Sequence, residues 1–435
     1  MKSPDRRFAL MFVVMLTIAA GNTALQSVLP ALGRSLGVPD AAVAAAFSMS
    51  ALIWVVAAPF WAARSDRHGR RAMILLGMGG YSASLVLCGV FLAAGINGWI
   101  GGTMAFLLFI GGRLIYGSLG AAAPPAVQAL VAGETTREER TRALTLLASA
   151  FGLGTIAGPA VAPYLLLGHL GTVEIGLAGP AFVFALFGVA VFVTIRRMLP
   201  DDRGEAAGRL AERGGGAASY PTIGGQAFDE GVTDAVASHG ERVAWTDPRI
   251  RGWMIAGLVM GHAQAMTGQA IGFLVIDRLH LAPAAALEST GIVLIMGAGA
   301  ALLAQWGIIP TLNLRPRALV LVGLVLAAIG TALTGLATSL YGIATAYALA
   351  SLGFGFTRPG FTAGSSLAVG AEAQGNVAGK VTSINGASFI LGPSIGVALY
   401  QAVHSLPYLT AAAGCLALFA YSWVALKDTL PSPRP

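Results

Sequence analysis

Residues 318–357 read ALVLVGLVLAAIGTALTGLATSLYGIATAYALASLGFGFT and contain no Asp, Glu, Lys or Arg. A helix that crosses the roughly 30 Å hydrocarbon core of a bilayer needs about 20 apolar residues, because each residue advances it by about 1.5 Å. This stretch is therefore long enough for two crossings with a turn near residues 339–340. Barrel strands alternate apolar and polar residues, and this stretch does not. It predicts a pair of membrane-spanning helices.

The rest of the chain follows the same pattern. Of its 435 residues, 56% are apolar and only 11% are charged, and the mean hydropathy is +0.73. Soluble domains carry about a quarter charged residues, so an ordinary soluble fold is excluded. The other charge-free stretches are 8–33, 41–63, 72–112, 143–173, 252–276, 289–314 and 381–426. The sequence predicts an all-α polytopic membrane protein.

Charged or Gly/Pro-rich breaks divide these stretches into twelve predicted transmembrane helices. They lie near 8–29, 42–63, 72–94, 103–131, 143–166, 177–195, 252–276, 288–308, 318–338, 341–369, 380–402 and 407–426. A cytoplasmic N-terminus puts all but four of the 27 Lys and Arg residues on the cytoplasmic side. The exceptions are Arg34 and Arg278 outside, and Arg113 and Arg358 within spans. This distribution follows the positive-inside bias and predicts a multi-pass protein of the bacterial inner membrane with both termini cytoplasmic.

The net charge of the chain and its first apolar stretch each allow a second interpretation. The net charge of +7 would suggest nucleic acid in a soluble chain, but here it is explained by topology, so no nucleic-acid partner is expected. Residues 1–20 resemble a signal peptide in outline. Because the apolar run continues to Leu29, an uncleaved first span is favoured.

Three helix boundaries recur at similar offsets of about 240 residues. The matched pairs, first half then second, are Arg71 and Arg317, Glu134 and Glu372, and Arg7 and Arg251, with offsets of 246, 238 and 244. The repeat predicts two pseudo-symmetric six-helix bundles, residues 1–198 and 249–435, joined by a Gly-rich cytoplasmic linker over 199–248. Duplicated bundles of this kind suit alternating access.

The predicted cytoplasmic turn after the second span reads PFWAARSDRHGRR over 59–71. It resembles the loop motif of the major facilitator superfamily, usually Gly-x-x-x-Asp-Arg-x-Gly-Arg-Arg/Lys, with Ala62 where the family normally has Gly. The resemblance implies a gating role for the matching residues, which are Asp66, Arg67, Gly69, Arg70 and Arg71. An Asp at a helix end can pair with basic groups when the halves close. The alternative is that the arginines only anchor the topology.

The fourth span contains GRLIYGSLGA over 112–121, which resembles the family's intramembrane motif Arg-x-x-x-Gly-x-x-Gly-Ala. A charged side chain within a span is costly and marks a functional cavity or an ion pair. In the family this Arg assists proton transfer, so the resemblance gives that role to Arg113. A buried arginine satisfied by carbonyl groups is the alternative.

The fifth span contains FGLGTIAGP over 151–159, which resembles the Gly-x-x-x-Gly-Pro motif of the family's exporters. Thr145 and Ala162-Pro163 stand where that motif has further glycines. The candidate helix-packing residues are Gly117, Gly154, Gly158 and Pro159. Together the motifs most resemble the bacterial drug:proton antiporters that include tetracycline exporters.

Family antiporters usually carry an acid in the first span, nine positions before a Leu-Pro pair. Counting back from Leu29-Pro30 gives Gly21, so this acid is absent. None of the predicted helices carries a mid-span acid. His262 is the internal alternative for proton transfer, because imidazole titrates near pH ~6.5. A hydrogen-bonded packing residue is the other interpretation.

Uncharged polar side chains together with Met and aromatic residues suit a lipophilic or amphipathic substrate. The candidates for contacting substrate or protons are Asn22, Gln26, Tyr116, His262, Met266, Gln269 and Asn385. Each amide could instead bridge helices. Arg358 could contact an anionic substrate or anchor a gate near the cytoplasmic side, and Pro359-Gly360 beside it predicts a break or kink.

The sequence therefore predicts a secondary transporter that moves a small organic molecule across the inner membrane by alternating access, by resemblance an exporter driven by proton antiport. The lack of a mid-span acid favours neutral, zwitterionic or anionic substrates. A sugar or organic-acid importer or facilitator is the alternative, and a non-transporting receptor is a further one. No enzymatic activity, cofactor or metal is expected, and the chain is expected to act as a monomer.

Overall fold

The computed structural model describes residues 3–134, 137–200, 243–312 and 314–427. In the first half the helices are α1 (Ser3–Ser35), α2 (Asp40–His68), α3 (Arg70–Ile96), α4 (Gly102–Ser118), α5 (Ala123–Glu134), α6 (Arg137–Val161) and α7 (Gly179–Met198). In the second half they are α8 (Arg251–Leu279), α9 (Ala286–Leu302), α10 (Ile309–Leu312), α11 (Pro316–Leu336), α12 (Leu340–Leu367), α13 (Ala371–Ala402) and α14 (Leu406–Ala425). The all-α polytopic class is confirmed.

Most of these helices have membrane-spanning length. Within the described ranges, ten helical segments are long and apolar enough to cross a bilayer. One of them runs from Gly102 to Val131 through α4, a 3₁₀ turn at Gly120–Ala122 and α5. The fifth and seventh predicted spans form α6 and α8, which are not among the ten. The arrangement is consistent with the twelve predicted spans.

The chain divides into two compact units by its internal contacts. The first comprises Met1–Glu230 with Val275–Ile295, and the second comprises Gly231–Leu274 with Met296–Pro435. The predicted linker over 199–248 lies mainly outside the described residues. The predicted bundle boundaries stay a prediction, and helix α8 contributes its last turns to the first unit.

Close helix contacts in both units occur at glycines of α3 and α11. A Cβ on Gly77 would meet the backbone and side chain of Ala123, and one on Gly323 would meet Gly353 and Thr357. These two glycines are 246 positions apart, so the third predicted span of each half (α3 and α11) approaches the fourth predicted span at the same place in its sequence. Only a residue without a side chain allows this approach.

Two arginines at the same offset make the same kind of contact. Arg71 Nη2 donates to the Arg196 carbonyl at the end of α7 (2.8 Å), and Arg317 Nη2 donates to the Trp423 carbonyl near the end of α14 (2.6 Å). The Arg317 guanidinium also lies 5.3 Å from the centre of the Trp423 ring. The second residues of α3 and α11 therefore each bind the last helix of their half.

Just before α8, the Asp247 carboxylate accepts hydrogen bonds from the side chain and the backbone N–H of Arg249 (both 2.8 Å). The hydrogen bond from the Arg249 side chain is the main reason that the pKa of Asp247 lies below its usual value. Its carbonyl accepts from the N–H groups of Ile250 and Arg251. Asp247 thus occupies the start of this helix, as an Asp-Pro pair favours.

Two local features differ from a plain helical pattern. Between α6 and α7, strands β1 (Leu167–Leu170) and β2 (Val173–Gly176) form an antiparallel hairpin, with Leu170 opposite Val173. Residues Leu303–Ile308 form a π-helical segment. Of the break or kink predicted at Pro359-Gly360, the break is wrong, because α12 continues through both residues, and the kink stays a prediction. Gly360 packs on Leu319 and Pro316 of α11.

Candidate functional site

Arg113 lies inside the first unit with 3% of its surface exposed. Its Nη2 donates to Asn22 Oδ1 on α1 (2.8 Å). Its guanidinium lies 4.7 Å from the centre of the Tyr116 ring and 5.1 Å from that of Phe47. None of the carboxylates whose side chains the structure describes contacts this guanidinium. A neutral amide and two ring faces therefore surround the cation.

Tyr116 is the centre of an aromatic cluster beside Arg113. Its ring lies 5.1 Å from Trp54 on α2 and 6.2 Å from Tyr81 on α3, measured between ring centres. The indole N–H of Trp54 and Nε of Arg113 are both buried without a hydrogen-bond acceptor in the described part of the chain. The aromatic cluster (Phe47, Trp54, Tyr81 and Tyr116) and the adjacent Arg113 therefore contain two buried donors without acceptors among the described residues.

The structure shows what occupies the position of the missing first-span acid. A Cβ built on Gly21 would collide with the hydroxyl oxygen of Tyr81 and lie 2.8 Å from its Cζ. The same hydroxyl donates to the Thr17 carbonyl (2.9 Å), which fixes the ring in place. A longer side chain at position 21 does not fit unless Tyr81 moves. The neighbouring residue Asn22 provides the side-chain oxygen to which Arg113 donates its hydrogen bond.

The second unit contains a comparable buried pair. Arg358 Nη2 on α12 donates to Asn385 Oδ1 on α13 (3.3 Å), and both residues are 3% exposed. The Arg358 guanidinium lies 5.9 Å from the centre of the Phe389 ring. In each unit, then, an arginine within a helix binds an asparagine of another helix and faces an aromatic ring.

The three candidate residues on α8 differ in how far their side chains are buried. His262 is half-buried, and its Nδ1 lies 2.8 Å from the Leu258 carbonyl one turn earlier. Met266 and Gln269 are buried, and the backbone of Met266 packs closely on Gly396 of α13. His262 is therefore the most accessible of the three. Gln26, the candidate on α1, is also half-buried and already interacts with another group of the protein.

The turn between α2 and α3 is made by Gly69, whose φ of 91° favours glycine. Its N–H donates to the Ser65 carbonyl (3.0 Å), which ends α2, and α3 begins at the next residue. Arg70 is buried and Arg71 binds the end of α7. The side chains of Asp66 and Arg67 lie outside the described residues.

The glycine motif of α6 lies against α1. A Cβ on Gly154 would meet the Leu16 carbonyl and Ala19, and one on Gly158 would meet the Ala20 carbonyl and Thr23. Pro159 lies inside α6, which continues to Val161. In the same unit, Gly117 of α4 approaches the Ser50 carbonyl on α2. These glycines bring helix backbones into direct contact around the Arg113 region.

A polar cluster that sequence analysis did not predict joins three helix ends in the first unit. Arg34, near the end of α1, donates two hydrogen bonds to Asp40 at the start of α2 (3.2 and 2.8 Å). It also donates to both carboxylate oxygens of Asp277 in the last turns of α8, through Nη1 and through Nη2 (2.9 Å). Arg34 is one of only two Lys or Arg residues on the predicted outer side. This rare position was the feature of the sequence that could have indicated the cluster.

Most of the described helices are long and apolar enough to cross a membrane. Two buried arginines within them, Arg113 and Arg358, are held by asparagine side chains and aromatic rings. These features define a polytopic membrane protein of the solute-carrier type. The family model of the Major Facilitator Superfamily matches residues 11–393. The chain belongs to this superfamily, whose members are transporters. The predicted family resemblance is confirmed.

Known relatives match part of the chain. It is 32% identical over 187 residues to the tetracycline resistance protein, class B, of Escherichia coli, which covers 42% of this chain and 41% of that protein. It is 30% identical over 159 residues to the multidrug resistance protein MdtG of Salmonella paratyphi C (strain RKS4594), covering 37% and 36%. The matches thus span less than half of these relatives.

Solved structures resemble the whole fold. A bacterial homologue of the human lysosomal transporter Spinster, in an inward-facing and occupied conformation, has a TM-score of 0.73 at 11% identity and covers 96% of both chains. The xylose transporter XylE of E. coli has a TM-score of 0.69 at 12% identity, covering 97% and 98%. At these identities the likeness shows the fold alone.

Proposed function

We propose that the protein is a secondary transporter that exports a small organic molecule, drug-like or an amphipathic metabolite, across the bacterial inner membrane by alternating access. The observation that carries this proposal is the similarity to tetracycline and multidrug resistance proteins within a superfamily of transporters. The protein acts as a monomer in the lipid bilayer with both termini in the cytoplasm. Two six-helix bundles, residues 1–198 and 249–435, form the moving parts.

Proton antiport is the energy source that the resemblance favours. Gly21 and Tyr81 leave no room for an acid at the usual place in α1. His262 is the proposed proton carrier, because it is half-buried and its Nδ1 bond to the Leu258 carbonyl leaves Nε2 available for proton exchange. An uncoupled facilitator for a sugar or organic acid is the second candidate, since it would need no acid at position 21.

The Arg34–Asp40–Asp277 cluster is the proposed outer latch of the transport cycle. Charge-assisted hydrogen bonds contribute about 1.5–3 kcal/mol each, so several of them stabilise one arrangement of the helix ends without making it permanent. At the predicted cytoplasmic side, the Asp66 turn has the corresponding role. Alternating release of these two contacts would expose the site to one side at a time.

A susceptibility and accumulation screen tests the export proposal. The chain is expressed in a bacterium that lacks its own drug pumps, and the accumulation of anionic, neutral and zwitterionic antibacterial compounds is measured. We expect lower accumulation of at least one class, and loss of this effect in Asp66→Asn. Equal accumulation of every compound with and without the protein would contradict export. Higher accumulation would favour the importer or facilitator.

A further inference from the structure

We propose that the substrate is an organic anion, with a carboxylate or sulfonate group on an aromatic or otherwise apolar body, and that Arg113 binds the anionic group. This inference rests on the proposed transport function and adds the chemical class of its substrate. Three observations in the first unit support it: the charge balance around Arg113, the two donors without acceptors, and the surrounding rings.

The charge balance leaves Arg113 without a counter-charge. Its hydrogen-bond partner Asn22 is neutral, and no described carboxylate contacts it. The described carboxylates lie at helix ends or in connecting segments, namely Asp40, Glu134, Glu174, Asp247, Asp277 and Glu288. A buried cation without a counter-ion is costly, and an anion that arrives beside it removes much of this cost. A cationic substrate would add to the cost.

The two buried donors without acceptors also favour an organic anion as the substrate. Arg113 Nε and Trp54 Nε1 are buried with no acceptor in the described ranges. A buried donor that lacks an acceptor has lost its hydrogen bonds to water, so a ligand that supplies an acceptor is stabilised beside it. Carboxylate and sulfonate groups carry several acceptor oxygens and form the strongest hydrogen bonds with arginine. A neutral amide or hydroxyl supplies fewer acceptors and no charge.

The rings around Arg113 define the rest of the ligand. Phe47 and Tyr116 present aromatic faces to the guanidinium, and Trp54 packs beside Tyr116. Phe47 and Asn22 are half-buried rather than enclosed, which gives a ligand a side from which to approach. An aromatic body would pack on these rings while its acidic group reaches the arginine. Inorganic anions would lack this second contact.

Binding to the purified full-length protein in detergent tests the inference with two probes of nearly equal shape. 2-Naphthalenesulfonate carries a permanent negative charge, and 2-naphthalenesulfonamide is neutral. A ligand that binds only the folded state raises its thermal unfolding midpoint. We expect the sulfonate to raise the midpoint and to bind at least about tenfold more tightly than the sulfonamide, because a charged hydrogen-bond acceptor gains more from arginine.

Substitution of the arginine identifies the site. Arg113→Gln should lose the preference for the sulfonate, and Arg113→Lys, which keeps the charge without the planar fork, should keep part of it. Arg249→Gln is the matched control, because Arg249 is exposed and lies outside the spans. If Arg113→Gln does not fold, Arg113→Lys and the two probes on the unmodified protein still decide the question. Equal binding of both probes, no sulfonate binding, or a preference that survives in Arg113→Gln would overturn the inference.

The outcome is separable from that of the export proposal. If neutral compounds are exported and the sulfonate does not bind, export stands and the anion class is wrong. If no compound is exported and the sulfonate binds through Arg113, the anion site stands and export is wrong.

Discussion

At the scale of single residues, Gly21 and Tyr81 explain how the first span accommodates the absence of the acid that the antiporter resemblance predicts there. The sequence alone showed that an acid is missing from the first span, but it could not show what replaces it. The Tyr81 hydroxyl fills that space because it is bound to the Thr17 carbonyl one turn away from Gly21. The pairing depends on two helices that are distant in sequence, so no local pattern reveals it.

This contact predicts the effect of adding a single methyl group. Gly21→Ala should destabilise the protein by about 1–3 kcal/mol, because the new Cβ overlaps the Tyr81 hydroxyl and overpacked interiors cost that much. The matched control is Gly111→Ala on α4, where nothing lies within 4 Å of an added Cβ. It should be neutral or stabilising by up to about 1 kcal/mol. Thermal unfolding of both purified variants measures the difference, and equal effects would show that the contact is not tight.

His262 gives the residue-scale prediction for energy coupling. In proteoliposomes with an imposed pH gradient, His262→Gln should reduce gradient-driven transport by about tenfold or more, since a positioned imidazole is lost. His169→Gln is the control, because His169 is an exposed hairpin residue. Undiminished coupling in His262→Gln would assign the residue to helix packing.

At the scale of elements, the helices follow from the charge-free stretches, and their interruptions do not. The fifth predicted span, 143–166, corresponds to α6, which ends at Val161 before the β-hairpin. The hairpin is held by Asn97, whose amide donates to the Glu174 carbonyl (2.7 Å) and accepts from its N–H (2.9 Å). Such a contact depends on the tertiary fold. The unbroken course of α12 through Pro359 likewise reflects packing that overrides a local signal.

The contact of α6 with α1 predicts a second glycine effect. Gly158→Val should destabilise the protein by about 1–3 kcal/mol or more and reduce transport, because its side chain would separate α6 from the α1 backbone. Gly299→Val on α9 is the control, since nothing lies within 4 Å of a Cβ there. Comparable losses in both variants would mean that β-branching, rather than helix contact, is responsible.

At the scale of the whole molecule, the positive-inside pattern fixes a testable orientation. A cysteine at the exposed Leu170 of the hairpin should react with an impermeant maleimide in intact cells. A cysteine at the exposed His68 of the Asp66 turn should react only after permeabilisation. The native Cys88 and Cys415 are buried, so their background labelling should be small. The opposite labelling pattern would show that the predicted topology is inverted.

The most direct test of alternating access holds the outer latch closed. Arg34→Cys and Asp277→Cys are introduced together and joined by a short bifunctional maleimide, which fixes the end of α1 to the last turns of α8. Efflux of a compound selected by the susceptibility screen is then measured, with the two single-cysteine variants treated identically as controls. We expect efflux to stop only in the cross-linked double variant. Efflux that continues at the uncross-linked rate would contradict alternating access through this latch, because the latch would then not need to open during transport.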